Sequence, residues 1–145
     1  MRIIGIDPGK SGGIAWLERD MTYAARMPET TADVWEQIRF AAQGCVRCFA
    51  WLEKVGPMPK QGVRSVWTFG RGYGELLMAL TAAEIPHELV APGVWQRKLG
   101  CLTRGDKNVT KAMAQRLFPN LTITHAIADA LLIAEYGRRA EQSRA

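Results

Sequence analysis

The chain has 145 residues, of which 48% are hydrophobic and 23% are charged, so we expect one domain with a substantial buried core and no second domain. Its formal net charge of +5 and its isoelectric point near 9.4 favour a polyanionic partner. No apolar stretch approaches the roughly 18 residues that span a membrane, and the start lacks the long apolar core of a signal peptide. We therefore expect a cytoplasmic protein without a membrane partner.

The first 13 residues, MRIIGIDPGKSGG, contain the first candidate site residue. An apolar run from Ile3 to Ile6 ends at Asp7, and a Pro-Gly pair then ends the predicted strand. A carboxylate at the end of a buried strand is costly unless it is hydrogen-bonded or holds a cation. Asp before Pro-Gly is also common turn chemistry, so a site role and a turn role are both open for Asp7. Gly12 and Gly13 would bring the backbone close to whatever Asp7 holds.

Two short strands and a helix are predicted next. Residues 13–17 would form a hairpin with the first strand, and residues 21–27 would complete an antiparallel meander. Thr30 or Thr31 can cap a helix that runs to about Gln43 and covers one face of the sheet.

The three cysteines are Cys45, Cys48 and Cys101, which are too few and too unevenly placed for a secreted disulfide framework. The Cys45-x-x-Cys48 spacing is that of half a zinc site, but no second pair follows it. We expect ordinary reduced thiols.

A second strand that ends in an acid lies at residues 47–53, RCFAWLE. It is apolar almost throughout, as is typical of an interior strand. A strand–helix–strand crossover would make it a parallel neighbour of the first strand, so that Asp7 and Glu53 emerge side by side at one edge. A solvated strand end is the alternative for Glu53, and its pairing with Asp7 favours a site.

Residues 54–69 are predicted to form a loop, because prolines and glycines interrupt the segment. Cations spaced along such a loop, beside a carboxylate cluster, suit contact with a nucleic-acid backbone. Met58 could be a wedge against bases or could pack the loop down, and packing is preferred. The candidate DNA-binding residues in and after this loop are Lys54, Met58, Lys60, Gln61, Arg64 and Arg71.

The second half of the chain is predicted to be mostly helical. A helix over about residues 70–83 is apolar enough to serve a core and a partner subunit. A fifth strand over residues 85–91 and a short helix over residues 92–99 follow it. The next helix, over residues 107–118, carries Lys107 and Lys111 near its exposed start.

The last helix begins near His125 or Ala126 and runs to Gly137. Small residues dominate its first two turns, so it can lie close against the sheet, and Asp129 is the one acid on this apolar stretch. Together with Asp7 and Glu53, it completes the set of carboxylates that a two-metal phosphodiesterase needs. Carboxylates suit hard divalent ions, which such sites hold about 4 Å apart.

The sequence resembles the RuvC family of Holliday-junction resolvases, within the ribonuclease H-like superfamily, and especially its phage-type members. The resemblance rests on IIGIDPGKSGGIAWL, WLEKVGPMPKQGVRSVWTFGRGYGELL, PGVWQRKLG and ADALLIAEYG, and it covers nearly the whole chain. It implies a ribonuclease H-like α/β fold with a five-stranded mixed sheet flanked by helices. The nuclease domain would span residues 1–140, followed by a short tail at residues 141–145.

The resemblance also implies a function in DNA recombination and repair. Members are homodimers that recognise four-way DNA junctions by shape and make paired symmetric nicks with two Mg²⁺ or Mn²⁺ ions. By position, Asp7, Glu53 and Asp129 match three acidic metal ligands of the family. The segment 54–71 matches the part that enters the junction, and the helix that follows it matches the dimer contact. Lys107 and Lys111 match the basic face that the family has before its last helix.

One position departs from the family pattern. The family usually has an acid three residues before the final Asp, and here that residue is Ala126. The acid would have been lost by engineering or naturally, and one metal would then bind more weakly. His125 or Thr124 could instead supply a ligand from the start of the helix. A junction-binding protein without catalysis is therefore the main alternative. A nuclease for other branched DNA or RNA ranks next, and an ATPase lobe ranks lowest because the chain has one lobe; we expect no nucleotide cofactor.

Overall fold

The computed structural model describes residues 1–145, which form five strands and five helices. The strands are β1 (Arg2–Asp7), β2 (Gly13–Glu18), β3 (Met21–Arg26), β4 (Cys48–Glu53) and β5 (His87–Val90). The helices are α1 (Thr31–Ala42), α2 (Val63–Ala82), α3 (Pro92–Leu99), α4 (Lys107–Leu117) and α5 (His125–Arg144). None of these helices is both long and apolar enough to cross a membrane.

The strands form one mixed sheet in the order β3-β2-β1-β4-β5. The first three strands are an antiparallel meander, and β4 lies parallel to both β1 and β5. The predicted crossover through α1 therefore places β4 beside β1, in a register that pairs Gly5 with Trp51 and Ile6 with Leu52. The next residue of each strand is an acid, so Asp7 and Glu53 end neighbouring strands at the same edge.

Each face of the sheet is covered by its own layer of helices. Because side chains alternate along a strand, Ile4 and Ile6 of β1 face the core shared with α1 and α2. Ile3 faces the opposite core, which β1 and β4 share with α3, α4 and α5. Asp7 lies four residues after Ile3 on β1, and Glu53 lies two residues after Trp51 on β4, so each acid points to the same face as that core residue. Both acids therefore belong to the face that α5 covers.

Helix α5 lies directly on β1, as its small residues predicted. A Cβ atom on Gly5 would clash with the backbone of Ala130 and Ala134, and one on Gly137 would clash with the ring of Trp51. Only glycine allows this approach at Gly5, because the helix backbone fills the space that a side chain would need. The close packing fixes the height and rotation of α5 over the strands that carry the acids.

Helix α2 begins earlier than the sequence indicated. It starts at Val63, so the loop after β4 covers residues 54–62 and the predicted loop over residues 54–69 is wrong in its second half. The fifth strand is shorter than predicted, because Pro86 and the segment after Val90 lie outside it. Helix α5 continues beyond Gly137 to Arg144. All three cysteines are free thiols.

Candidate functional site

Asp7 occupies the end of β1, where the chain turns sharply back into β2. Gly9 adopts a φ of +98°, which favours glycine, and the Gly12 amide donates a 3.1 Å hydrogen bond to the Gly9 carbonyl. Gly12 lies directly against the main-chain carbonyl of Asp7, where a side chain would clash. The chain therefore turns tightly at the end of β1, and Gly12 lines the same small cavity as Asp7.

Glu53 is held from two helices. Its side chain is only 8% exposed, and its Oε2 atom accepts a 2.7 Å hydrogen bond from the indole Nε1 of Trp95 on α3. Its main-chain carbonyl accepts a 3.2 Å hydrogen bond from the hydroxyl of Tyr73 on α2. The solvated strand end considered for Glu53 is thus wrong, because the carboxylate is buried and hydrogen-bonded.

Asp129 enters the site from α5, one residue before Ala130, which rests on β1. Its side chain borders a small cavity of about 130 Å³. We call this space the acidic cavity. Its lining residues are Asp7, Pro8, Ser11, Gly12, Lys107, Thr110, His125 and Asp129.

The three acids share one electrostatic environment. Burial, then the charges of Glu53 and Asp129, raises the pKa of Asp7 to about 8, although Lys107 opposes the shift. Burial raises the pKa of Glu53 to about 7, with a smaller contribution from Asp129, against the Trp95 hydrogen bond that lowers it. Burial also raises the pKa of Asp129, while the Thr110 hydroxyl and the charges of Lys107 and His125 lower it. The positive charges and hydrogen bonds that the protein supplies therefore do not fully offset the negative charge of the three acids.

The donor set fits a hard divalent cation. A bound cation would offset the negative charge of the three carboxylates. Carboxylate oxygen is the ligand that Mg²⁺ and Mn²⁺ prefer. No group of three or more Asp, Glu, His or Cys side chains in the structure is placed to hold a metal ion on its own. An open site of this kind suits Mg²⁺, which keeps several waters and binds through one or two carboxylates together with substrate phosphates.

His125 and Ala126 lie differently with respect to the acidic cavity. His125 lines it, four residues before Asp129 and therefore on the same side of α5. The main-chain carbonyl of Ala126 instead packs against Gly13. The imidazole, which the sequence offered only as an auxiliary group, is the side chain that α5 places beside Asp129.

The candidate DNA-binding residues fall into three groups. Lys54, Met58, Lys60 and Gln61 are exposed in the loop 54–62, where the Met58 amide donates a 3.1 Å hydrogen bond to Gln61 Oε1. Met58 is 69% exposed, so the preferred packing role for it is wrong.

The other candidate cations lie on helices. Arg64 and Arg71 are exposed on α2 rather than in a loop, and Arg71 forms an exposed 3.3 Å ion pair with Glu75. On α4, Lys107 lines the acidic cavity and Lys111 is half-buried. Of these basic residues, Lys107 is the one that lies beside Asp7 and Asp129 on the wall of the acidic cavity.

Four uncharged residues of the site were not predicted: Ser11, Tyr73, Trp95 and Thr110. Sequence patterns of acidic and basic residues do not point to uncharged side chains that donate hydrogen bonds. A signal was nevertheless present for Thr110, which follows Lys107 by three residues and so lies on the same side of α4. Trp95 lies in the PGVWQRKLG segment, where its aromatic ring suggests only a core residue.

Comparisons with known proteins identify the fold. No protein-family model matches the sequence, and no curated protein is similar to it. Two solved structures of RuvC from Thermus thermophilus are similar in three dimensions. One, in complex with a Holliday junction substrate, has a TM-score of 0.67 and 17% identity, over 99% of this chain and 96% of that one. The other has a TM-score of 0.62 and 17% identity, over 97% of each chain. The chain therefore has the fold of these RuvC structures, and the expected ribonuclease H-like architecture is confirmed.

Proposed function

We propose that this chain is a Mg²⁺- or Mn²⁺-dependent endodeoxyribonuclease that resolves four-way or other branched DNA junctions by paired nicking. The observation that carries the proposal is the gathering of Asp7, Glu53 and Asp129 at one edge of a RuvC-like fold. Each acid comes from a different element, burial opposes the ionisation of all three, and the charges of Glu53 and Asp129 oppose that of Asp7 further. A buried acidic cluster beside basic loops and helices suits hydrolysis of a phosphodiester more than it suits structural stability.

Asp7, Glu53 and Asp129 would hold the metal, with His125 as a fourth group from the same side of α5 as Asp129. Bound divalent ions supply an activated water and stabilise the leaving oxygen. Lys107, beside both Asp7 and Asp129, would contact the scissile phosphate and offset its charge. The Thr110 hydroxyl would favour the ionised form of Asp129, against the effect of burial.

The DNA would lie across the loop 54–62 and the starts of α2 and α4. Lys54, Lys60, Gln61, Arg64, Arg71, Lys107 and Lys111 would contact phosphates. The exposed Met58 side chain suits a wedge between bases where the junction strands part. These contacts carry no strong base code, which agrees with recognition by shape.

Helix α2 offers a surface for the homodimer that a symmetric junction requires. Val63, Trp67, Gly70, Gly74 and Met78 recur every three or four residues along one side of it, and we call this set the α2 stripe. Val63 is 87% exposed, Trp67 71% and Met78 66%, and a Cβ atom added to either glycine would meet no other part of the chain within 4 Å. A second copy packed on this stripe would cover apolar surface and relate two active sites by a two-fold axis.

The test is cleavage of a labelled four-way junction in Mg²⁺ and in Mn²⁺, with a linear duplex as the substrate control. We expect paired nicks with the wild-type chain and at least a hundred-fold loss of cleavage with Asp7→Asn, without loss of junction binding. Cleavage of the linear duplex at an equal rate would contradict junction specificity.

A junction-binding protein without catalysis is the second candidate, and Ala126 favours it because it has no ligand atom. Cytoplasmic action on recombination or repair intermediates fits both candidates. Junction binding without cleavage by the wild-type chain, together with cleavage by Ala126→Asp, would establish this second function.

A further inference from the structure

Trp95 donates a short hydrogen bond to the carboxylate of one of the three acids, Glu53. Its side chain is completely buried between α3 and the sheet, and its Nε1 atom lies 2.7 Å from Oε2 of Glu53. A hydrogen bond from a neutral donor to a carboxylate is charge-assisted and strongly directional. The indole therefore restricts the carboxylate of Glu53 to one orientation.

The other buried indoles show that this fold does not require such a bond. The Nε1 atoms of Trp16 and Trp51 are buried and have no hydrogen-bond partner. Trp51 belongs to the same core as Trp95 and is 3% exposed. A tryptophan ring can thus fill this core without a bond to its N–H, and Trp95 is distinguished by the acid that it contacts.

The two bonds to Glu53 act on different parts of the residue. Tyr73 binds the main-chain carbonyl from α2, and Trp95 binds one carboxylate oxygen from α3. The bond to Oε2 leaves Oε1 for a cation. Since α3 is anchored in the core by Trp95 and Leu99, the donor itself has little freedom to move.

We propose that Trp95 is a positioning residue for the metal site: its indole N–H fixes the carboxylate of Glu53 in the orientation that binds the divalent ion. This inference rests on the proposed function in that Glu53 is taken as a metal ligand. Outer-shell hydrogen bonds of this kind orient ligands, and their loss weakens metal affinity about 10- to 100-fold.

The first test compares Trp95→Phe with Trp51→Phe. Each substitution replaces an indole in the same core, but only the first removes a hydrogen bond to an acid. Mn²⁺ affinity is measured without DNA from the electron paramagnetic resonance signal of the free ion. We expect Trp95→Phe to weaken Mn²⁺ binding about ten-fold or more, and Trp51→Phe to leave it within about two-fold. Equal affinity in wild type and Trp95→Phe overturns the proposal.

A second measurement uses the wild-type chain, so it holds even if Trp95→Phe does not fold. The indole N–H resonance of Trp95, assigned in a nitrogen-15-labelled sample, is followed while Mg²⁺ is added. We expect it to shift as the ion binds, while the indole resonances of Trp16 and Trp51 stay in place. A Trp95 resonance that does not respond to saturating Mg²⁺ overturns the proposal.

The two hypotheses fail in different ways. If the wild-type chain cleaves junctions and binds Mn²⁺, but Trp95→Phe binds Mn²⁺ equally well, positioning by Trp95 is wrong and the nuclease function stands. If the wild-type chain binds Mn²⁺ and Trp95→Phe does not, but no junction is cut, Trp95 positions a metal ligand and the nuclease function is wrong. If the wild-type chain neither binds Mn²⁺ nor cuts, both are wrong.

Discussion

The main-chain carbonyl of Ala126 lies so close to Gly13 that a Cβ atom added to Gly13 would stand 2.5 Å from its oxygen. The same Cβ would stand 2.7 Å from the Ala25 carbonyl oxygen. The start of α5 is therefore seated in a space that exists only because β2 begins with glycine. His125 and Asp129 of α5 line the acidic cavity, so this contact sets where both side chains stand.

We expect Gly13→Ala to lower the free energy of unfolding by about 1–3 kcal/mol or more, because both neighbours are backbone atoms that cannot rotate away. Urea denaturation followed by circular dichroism measures the change. Gly56→Ala is the matched control, since nothing lies near Gly56, and it should leave stability nearly unchanged. Equal stability of the two variants would contradict the close contact.

Without metal, the stability of the chain should fall as the pH rises from about 5 to 8. The folded-state pKa values of Asp7, about 8, and Glu53, about 7, lie above the ordinary values of 3.8 and 4.5. Over this range the folded state binds more protons than the unfolded state, so the stabilisation present at low pH is lost as the pH passes through the folded pKa values. The loss should be on the order of a few kcal/mol, since each pKa unit corresponds to about 1.4 kcal/mol.

Urea denaturation in a chelating buffer at both pH values measures this loss. Asp7→Asn should flatten the dependence, whereas Glu29→Gln, at an exposed acid outside the site, should keep it. A pH dependence that survives Asp7→Asn intact would place its origin elsewhere in the protein.

His125→Asn should reduce cleavage of a four-way junction about ten-fold or more, because His125 is the side chain that accompanies Asp129 on the wall of the acidic cavity. His87→Asn is the control, since the only other histidine of the chain lies on β5, where its Nδ1 atom is 3.0 Å from the Ile85 carbonyl oxygen. Junction cleavage at single-turnover conditions measures both variants. Activity of His125→Asn equal to that of the control would exclude the imidazole as the fourth group.

Replacing Lys60 and Arg64 together by Ala should weaken junction binding and make its salt dependence shallower. Each phosphate contact adds about 0.9 to the slope of log K against log salt, so the slope should fall by about 1.8. Arg39 on α1 and Arg47 just before β4, replaced together by Ala, remove the same charge from exposed residues outside the loop 54–62 and α2. Fluorescence anisotropy over a salt series gives both slopes, and no difference between them would remove the α2 start from the DNA interface.

Glu substitutions at Trp67 and Met78 should convert a dimer into a monomer, because two charges would then have to be buried at the α2 stripe. Light scattering coupled to size exclusion measures the mass. The control places Glu at Met21 and Val46, two exposed apolar residues outside α2 that are 52% and 99% exposed. A wild-type chain that is monomeric in solution would contradict the α2 interface directly.

The acids could be predicted because strand patterns are strong local signals. Two apolar runs that each end in an acid, linked by one helix, place Asp7 and Glu53 at the same edge by topology alone. The start of α2 could not be predicted, because residues 63–69 follow a segment interrupted by prolines and glycines and because Gly62 caps the helix without a side-chain hydrogen bond. The helix forms because Leu76 and Leu80 are buried in the core under the sheet, which is a tertiary effect.

The role of Trp95 was equally inaccessible from the sequence. A tryptophan in an apolar segment predicts core packing, and only the structure shows that its one polar atom meets Glu53. Met58 illustrates the opposite error, because a flexible apolar side chain between prolines can be buried or exposed with the same local sequence. Neutral hydrogen bonds and loop exposure depend on distant parts of the chain, which local patterns do not encode.

The contact between β1 and α5 joins the two ends of the chain. Residues that lie far apart in sequence must meet before Asp129 can stand beside Asp7, and contacts of such high sequence separation close long loops and slow folding. A partly folded chain that already has the meander and β4 would hold two of the acids without the third. The proposed metal site would therefore be complete only once α5 has docked on β1.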